Sequence, residues 1–487
     1  MMRKALGIGA ALLLLLGVTP GTGAADSATR DRPNVLFILC DDLGINDLRC
    51  YGRTDHNTPN LDRLASQGVR FTSAYCAQPI CSPSRAAILT GKTPARLHLT
   101  TYLPGRPDST AQKVLHPRIR MEVPLTEPML PRYFKDAGYA CAAIGKWHVG
   151  GKGFGPLEHG FDVYHPGQAN TKPSPSEGGK GEYGLTAFAE RFIETNRARP
   201  FLVYLAHNTP HIPYTAQPER IEKNTGAFEP VYAAVIETLD DAVGRLLAKL
   251  ESLGLAEKTL VIFTSDNGGL HVPEGPHPRI THNSPFRAGK GFLYEGGLRI
   301  PLIVRWPGQV PAGKVIADPV VNTDWLPTLL ELIGRPVPGG LDGVSFAGLL
   351  TGKGPAPQRS FFWHFPHYTN QGSRPGGAMR QGNLLLVEYY DADAPELYDL
   401  AVDVAEMKNL AAEQPGRARE MRAALDNWRR QVGAQTNAPN PAFDPARYRE
   451  LYVEVDAGRF APAGAGDSQW QQMQQWRKRM NAAPKLP

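Results

Sequence analysis

The residues best suited to chemistry lie in a few short stretches of this 487-residue chain. Cys81-Ser82-Pro83-Ser84-Arg85 runs into Ala86-Ala87-Ile88-Leu89-Thr90-Gly91, and Pro83 with apolar residues behind it predicts a helix opening at Cys81. A nucleophile there would face an anionic substrate, because free N–H groups and the helix dipole favour negative charge. Composition alone would produce Cys-x-Pro-Ser-Arg in about one chain in a thousand of this length. Asp41-Asp42 would repel itself unless a cation or proton intervened. Joined to Asp266-Asn267, it offers an all-oxygen set of the kind hard cations prefer, Ca2+ and Mg2+ being the abundant ones. Taken alone, the Asp pair reads equally as a surface turn. Lys146 and His148 in Gly145-Lys146-Trp147-His148, with His207 and His211 in the run Ala206 to His211, supply cations and bases near neutral pH. Lys290, between Gly289 and Gly291, reads by itself as a solvated loop residue.

These residues need elements to hold them. Apolar runs at Asn34–Leu39, Tyr139–Ile144, Phe201–Ala206, Leu260–Thr264 and Ile300–Arg305 suit strands buried on both faces. Helical patterns lie between them: one opens at Thr58-Pro59 and ends at Gly68, and another places Val235, Leu239, Val243, Leu246 and Leu250 on one face. The alternation implies α/β architecture with a large, mostly parallel sheet sandwiched by helices. In such sheets ligands bind beyond the carboxyl ends of the strands. The first four runs are followed there by Asp41-Asp42, Lys146 and His148, His207 and His211, and Asp266-Asn267. Four concordant ends point to one composite site. From about Pro355 the texture changes to short strand-like runs and a helix over Pro415 to Val432, as in a smaller C-terminal α+β domain with a short antiparallel sheet. The expected boundaries are 26–355 and 356–487. The tail from Ser468, with Trp470 and Trp476, is either a packed extension or a frayed end.

Fifty Gly and forty-four Pro predict long structured loops around the core. Hydrophobic residues make up 42% and charged ones 21%, which excludes a disordered chain and a multispan membrane protein. Arg3 and Lys4 precede an apolar run from Ala5 to Val18 and a small-residue stretch to Ala25. That is a signal peptide over residues 1–25, implying a periplasmic or secreted protein without a stable membrane anchor. The net charge of +6 is too mild and scattered to indicate nucleic acid. Five cysteines are an odd number, so at least one is unpaired. Setting Cys81 aside, Cys40, Cys50, Cys76 and Cys141 allow three pairings, and buried free thiols fit equally well.

The Cys81 motif, with Pro83, Ser84, Arg85, Leu89, Thr90 and Gly91, resembles the type I sulfatases of the alkaline phosphatase superfamily, and the resemblance extends over residues 33–410. It implies an alkaline phosphatase-like fold and a sulfuric ester hydrolase in which Cys81 is oxidised to Cα-formylglycine. Its hydrate carries two hydroxyls, one to attack sulfur and one to expel sulfate. It assigns Asp41, Asp42, Asp266, Asn267 and residue 81 to one metal, usually Ca2+ with Mg2+ possible. It puts Lys146, His211 and Lys290 on the substrate, with His207 either lining the pocket or holding a loop. Arg85 would orient the formylglycine, His148 would act as base on the second hydroxyl, and His211 would protonate the leaving oxygen. A maturing enzyme, formylglycine-generating or anaerobic, is an implied partner. Arg287 and Arg299 read as structural or rim residues. Ala95 to Thr100 and Trp363-His364-Phe365-Pro366-His367-Tyr368 look like bacterial N-acetylgalactosamine-sulfatase-like groups, hinting at exo-removal of sulfate from galactose or N-acetylgalactosamine units. Trp363, His364, His367 and Tyr368 would form a glycan subsite or cover the sheet. The competing readings are a phosphodiesterase or phosphonate hydrolase of the same superfamily, and a non-catalytic glycan-binding protein whose Cys81 is never converted.

Overall fold

The computed structural model describes residues 32–168 and 171–486; the expected signal peptide, residues 1–25, lies outside them. All five apolar runs are strands of one nine-stranded sheet. The central strand, Asn34–Asp41, is buried along its whole length. It pairs in parallel with Phe201–Pro210 on one side and Thr259–Ser265 on the other. Ala140–Gly145 and Val163–Pro166 extend the sheet in parallel beyond Phe201–Pro210. On the other flank stand Arg299–Arg305, Val69–Tyr75 and the short strands Val320–Val321 and Lys314–Ile316. Helices Pro59–Gln67, Glu182–Thr195 and Pro230–Ser252 flank the sheet, and the longest buries Val235, Leu239, Val243, Leu246 and Leu250 as their spacing requires. Each such aliphatic side chain contributes about 1.5–3 kcal/mol on burial.

Arg299–Arg305 runs antiparallel to both its neighbours, Thr259–Ser265 and Val69–Tyr75. Its amino end therefore shares an edge with the carboxyl ends of the central strands. The loop that precedes it, carrying Lys290, reaches the same edge as the residues that follow the parallel strands.

A four-stranded antiparallel sheet, Phe361–Phe365, Gly376–Gln381, Leu384–Tyr389 and Glu396–Asp399, follows in the C-terminal part. Helix Pro415–Gln431 lays Ala418, Met421 and Leu425 on Met379, Leu386 and Leu397 of this sheet. The tail is a packed extension: helix Asp467–Ala482 buries Trp470 and Trp476, and the Trp476 indole donates to the Leu451 carbonyl at 2.9 Å. Among the described residues no helix is long and apolar enough to cross a membrane.

Gly145 ends the strand Ala140–Gly145 at φ 98°, and a Cβ there would stand 2.0 Å from the Ala206 carbonyl oxygen of the neighbouring strand. The close approach sets the direction in which Lys146 and His148 leave the sheet. Gly145→Ala is expected to cost about 1–3 kcal/mol by combining a disfavoured φ with a backbone clash. Urea unfolding would read this as a lowered midpoint at unchanged slope, and a midpoint equal to that of the parent protein would contradict it.

Candidate active site

Asp41 and Asp42, at the end of the central strand, are 1% and 3% exposed. Two adjacent buried carboxylates survive because each meets a lysine. Lys146 Nζ donates to Asp41 Oδ2 at 2.6 Å, and Lys290 Nζ donates to Asp42 Oδ2 at 2.8 Å. Burial by itself would raise both carboxyls. Lys146, His211, Arg85 and Lys290 outweigh it and hold Asp41 well below the usual range, while Lys290 and His211 lower Asp42. Asp42 adopts φ 68°, in the left-handed region that Asp tolerates better than most residues, and its N–H donates to Asp266 Oδ1 at 3.2 Å.

Arg85, fully buried on the helix Cys81–Thr90, ties three strand ends together. Its Nε donates to Asp266 Oδ2 at 2.8 Å and its Nη1 to the Lys146 carbonyl at 3.1 Å, while Nη2 stands 3.7 Å from Asp41 Oδ1. Burial pushes the Asp266 carboxyl up to about 7 against the pull of Arg85, with Asp41 adding to the rise. Asn267 Nδ2 donates to Asp42 Oδ1 at 2.8 Å. Two acceptors in this group, Asp41 Oδ1 and Asn267 Oδ1, are buried without a hydrogen-bond partner. Each such oxygen costs about 1–3 kcal/mol. A hard cation accepting both would remove that cost and relieve the repulsion that raises Asp266, so these residues fit a metal of the Ca2+ or Mg2+ type. Asp41, Asp42, Cys81 and His211 each bring a ligand atom within 4.8 Å of the others.

Cys81 opens its helix and is 2% exposed. Burial pushes its thiol up to about 12 even though Lys146 and Lys290 pull the other way. At neutral pH it is protonated, and a neutral buried thiol is a poor nucleophile. Burial and the Lys146 charge push His148 down to about 3. Its Nε2 faces the Leu103 carbonyl at 2.9 Å and so carries the hydrogen, leaving a lone pair on Nδ1, which has no partner. His211 Nδ1 lies 2.5 Å from the Ile212 carbonyl, which turns Nε2 toward Asp42 Oδ2 at 3.7 Å.

An open cleft of about 390 Å³ leads to this group, with Asp41, Lys146, His148, Lys180, Asn208 and His211 in its wall. The structure thus brings Asp41, Asp42, Cys81, Arg85, Lys146, His148, His211, Asp266, Asn267 and Lys290 to one edge of the sheet. His207 differs. It is wholly buried within its strand, both ring nitrogens lack partners, and burial pushes it down to about 4. Trp363, His364, His367 and Tyr368 are all at most 3% exposed. Trp363 donates to the Cys76 carbonyl at 2.8 Å, so this run covers the sheet. Arg287 is structural, donating to the Gly458 carbonyl and the Tyr398 hydroxyl, and Arg299 pairs with Glu295. Sequence reasoning missed Lys180, whose ammonium donates to the Pro213 carbonyl at 2.7 Å. It sits in a glycine-rich loop with no periodicity to mark it.

An acidic, cation-ready group below a helix N-terminus, at the switch edge of an α/β sheet, defines a hydrolase of anionic esters. The family model for sulfatases matches residues 33–335, and one for the N-sulphoglucosamine sulphohydrolase C-terminal region matches residues 288–431. The chain belongs to the sulfatase family and is a sulfuric ester hydrolase. It is 35% identical to N-acetylgalactosamine-6-sulfatase of Canis lupus familiaris, covering 72% of each chain. It is 33% identical to human arylsulfatase A, covering 86% of this chain and 90% of that one. Among solved structures it resembles Ps i-CgsB in complex with k-i-k-neocarrahexaose, with TM-score 0.71 and 26% identity over 82% of this chain and 93% of that one.

All five cysteines are unpaired, and four of them are buried. Thiol titration in denaturant is expected to find five groups if residue 81 remains cysteine, and one fewer if it has been converted. A further shortfall of two would reveal a disulfide and contradict the structure.

Proposed function

We propose that this chain is an exported Ca2+-dependent sulfatase that removes sulfate, exo-wise, from galactose or N-acetylgalactosamine units, with residue 81 acting as formylglycine. The observation that carries the reading is the pair of orphaned buried oxygens, Asp41 Oδ1 and Asn267 Oδ1, grouped with the helix-opening Cys81 between two lysines. The raised thiol makes an unmodified Cys81 a poor nucleophile, which is consistent with a reading in which the converted residue does the chemistry. Hydrated formylglycine would supply one hydroxyl for attack on sulfur and a second for release of sulfate, and Ca2+ would supply Lewis acidity at a sulfate oxygen.

The chain's own residues do the rest. Asp41, Asp42, Asp266 and Asn267 hold the cation; Mg2+ satisfies the same oxygen set less readily, since it demands near-ideal octahedral geometry. Lys146 and Lys290, already directed into the acidic group, bind sulfate oxygens. Arg85 holds residue 81 through the helix it shares. His148 Nδ1 accepts the proton of the second hydroxyl, and His211 Nε2 delivers one to the leaving sugar oxygen. The sugar assignment is supported by the names of the relatives, an N-acetylgalactosamine-6-sulfatase and a carrahexaose-bound structure. The leader at residues 1–25 supports export to the periplasm or medium, and the Cys81 motif supports a maturing enzyme as partner.

His211→Ala is expected to lower turnover of sugar sulfates by about 10²–10⁴, as for loss of a general acid, while sparing 4-nitrophenyl sulfate, whose leaving group needs no proton. Equal losses on both would remove that role. Chelation should abolish turnover of either substrate, and Ca2+ should restore it; activity that persists after exhaustive chelation would contradict the metal reading. A phosphate diester turned over faster than both sulfates would favour a phosphodiesterase instead.

A further inference from the structure

Next to the sulfate cleft lies a polar cluster that the reaction as derived does not use. The segment holding Tyr102 and Arg106 borders the cleft directly: the Leu103 N–H donates to Ser82 Oγ at 3.1 Å, and the Leu103 carbonyl faces His148 Nε2 at 2.9 Å. On the opposite side, a Cβ at Gly291 would stand 3.0 Å from Gln371 Oε1, so the Gln371 amide lies against the residue that follows Lys290. Gln371 Nε2 donates to Glu274 Oε2 at 2.6 Å, and the other oxygen of Glu274 pairs with Arg477 Nη2 at 3.0 Å. Tyr102 feels the charges of Arg106, Glu274 and Lys290.

Arg477 comes from the C-terminal helix, beyond the residues that either family model matches. It is 8% exposed, and its Nε and Nη1 are buried without hydrogen-bond partners. The charged groups acting on it are Glu274, which attracts, and Arg106, which repels. Arg106 is itself engaged, donating to the Thr369 carbonyl at 2.9 Å and the Tyr452 hydroxyl at 3.4 Å, so Glu274 is the one carboxylate paired with Arg477. Burial lowers Arg477 from its ordinary value, and the single carboxylate does not offset it. A buried cation with free donors and too little opposing charge is costly unless an anion completes it.

We propose that Arg477 binds a second anionic group of the substrate, a carboxylate or a further sulfate on the sulfated sugar or its neighbour. The inference rests on the reading of the Cys81 cleft as the sulfate site. Glu274 and Gln371 orient the guanidinium, and the tail helix is thereby part of the substrate site.

Calorimetry on full-length Cys81→Ala protein in Ca2+ buffer tests this without turnover. The ligands are a neutral galactoside monosulfate, a sulfated disaccharide bearing a uronate, and a galactoside disulfate. At least one of the two more anionic ligands should bind about tenfold or more tighter than the neutral one, as expected of charge-assisted pairing. Which of them does so distinguishes carboxylate from sulfate. Arg477→Met should bring that ligand down to the affinity of the neutral one, and Arg477→Lys should keep part of the preference. Equal affinity for all three ligands in the parent protein, or an equal loss for all three in Arg477→Met, would overturn the proposal. If Arg477→Met does not fold, the preference of the parent and its partial retention in Arg477→Lys decide. Failure of the sulfatase mechanism would show separately, as absent aryl sulfate turnover by protein converted at residue 81.

Discussion

Two carboxylates side by side in the interior are the constraint on which the rest of the site depends. At an effective dielectric near 20, unit charges about 4 Å apart interact by about 4 kcal/mol, and burial leaves Asp41 and Asp42 little solvent screening. The fold answers with cations drawn from three separate places: Lys146 from the end of one strand, Arg85 from the helix behind Cys81, and Lys290 from the loop before an antiparallel strand. Remove any one and a buried negative charge is left partly uncompensated, which costs far more than a surface ion pair contributes. In the proposed mechanism the two lysines of this set, Lys146 and Lys290, would also meet the sulfate once a cation occupies the carboxylates. On that proposal, holding the acidic pair and binding the anionic substrate would be one electrostatic arrangement.

That arrangement explains local features which would otherwise be liabilities. Asp42 and His148 both sit at positive φ, at 68° and 59°, and Gly145 lets one strand approach the next. Strain of this kind persists only where the surroundings over-determine it. Here the surroundings are the bond from the Asp42 N–H to the Asp266 carboxylate and that between His148 Nε2 and the Leu103 carbonyl. The antiparallel direction of Arg299–Arg305 does comparable service, since a parallel strand there would carry the Lys290 loop to the opposite edge.

Much of this was legible in the amino-acid order. Strands buried on both faces must be continuously apolar, so the central runs were plain, and polar residues crowding their carboxyl ends could only converge. The Cys81 motif carried the chemistry. What stayed illegible depended on direction and burial. Nothing in Ile300–Arg305 shows which way the strand runs. His207, in a strand that continues to Pro210, reads like His211 until the structure buries it. The aromatic run from Trp363 to Tyr368 has the composition of a sugar platform but serves as packing. Cysteine spacing left the pairings open, and the thiols prove unpaired. Lys180 comes from a loop without periodic signature and only tertiary contact brings it to the cleft, while Arg477 lies on the buried stripe of its helix, where a charged residue gives no sign that it meets Glu274.

The most direct test of the central claim is mass spectrometry of the peptide containing residue 81, on protein made with a maturing enzyme and assayed for sulfate release from the same sample. The account predicts a peptide in which the thiol sulfur and two hydrogens have been replaced by one oxygen, in a fraction that tracks turnover from batch to batch. Full turnover by protein whose Cys81 is intact would contradict it.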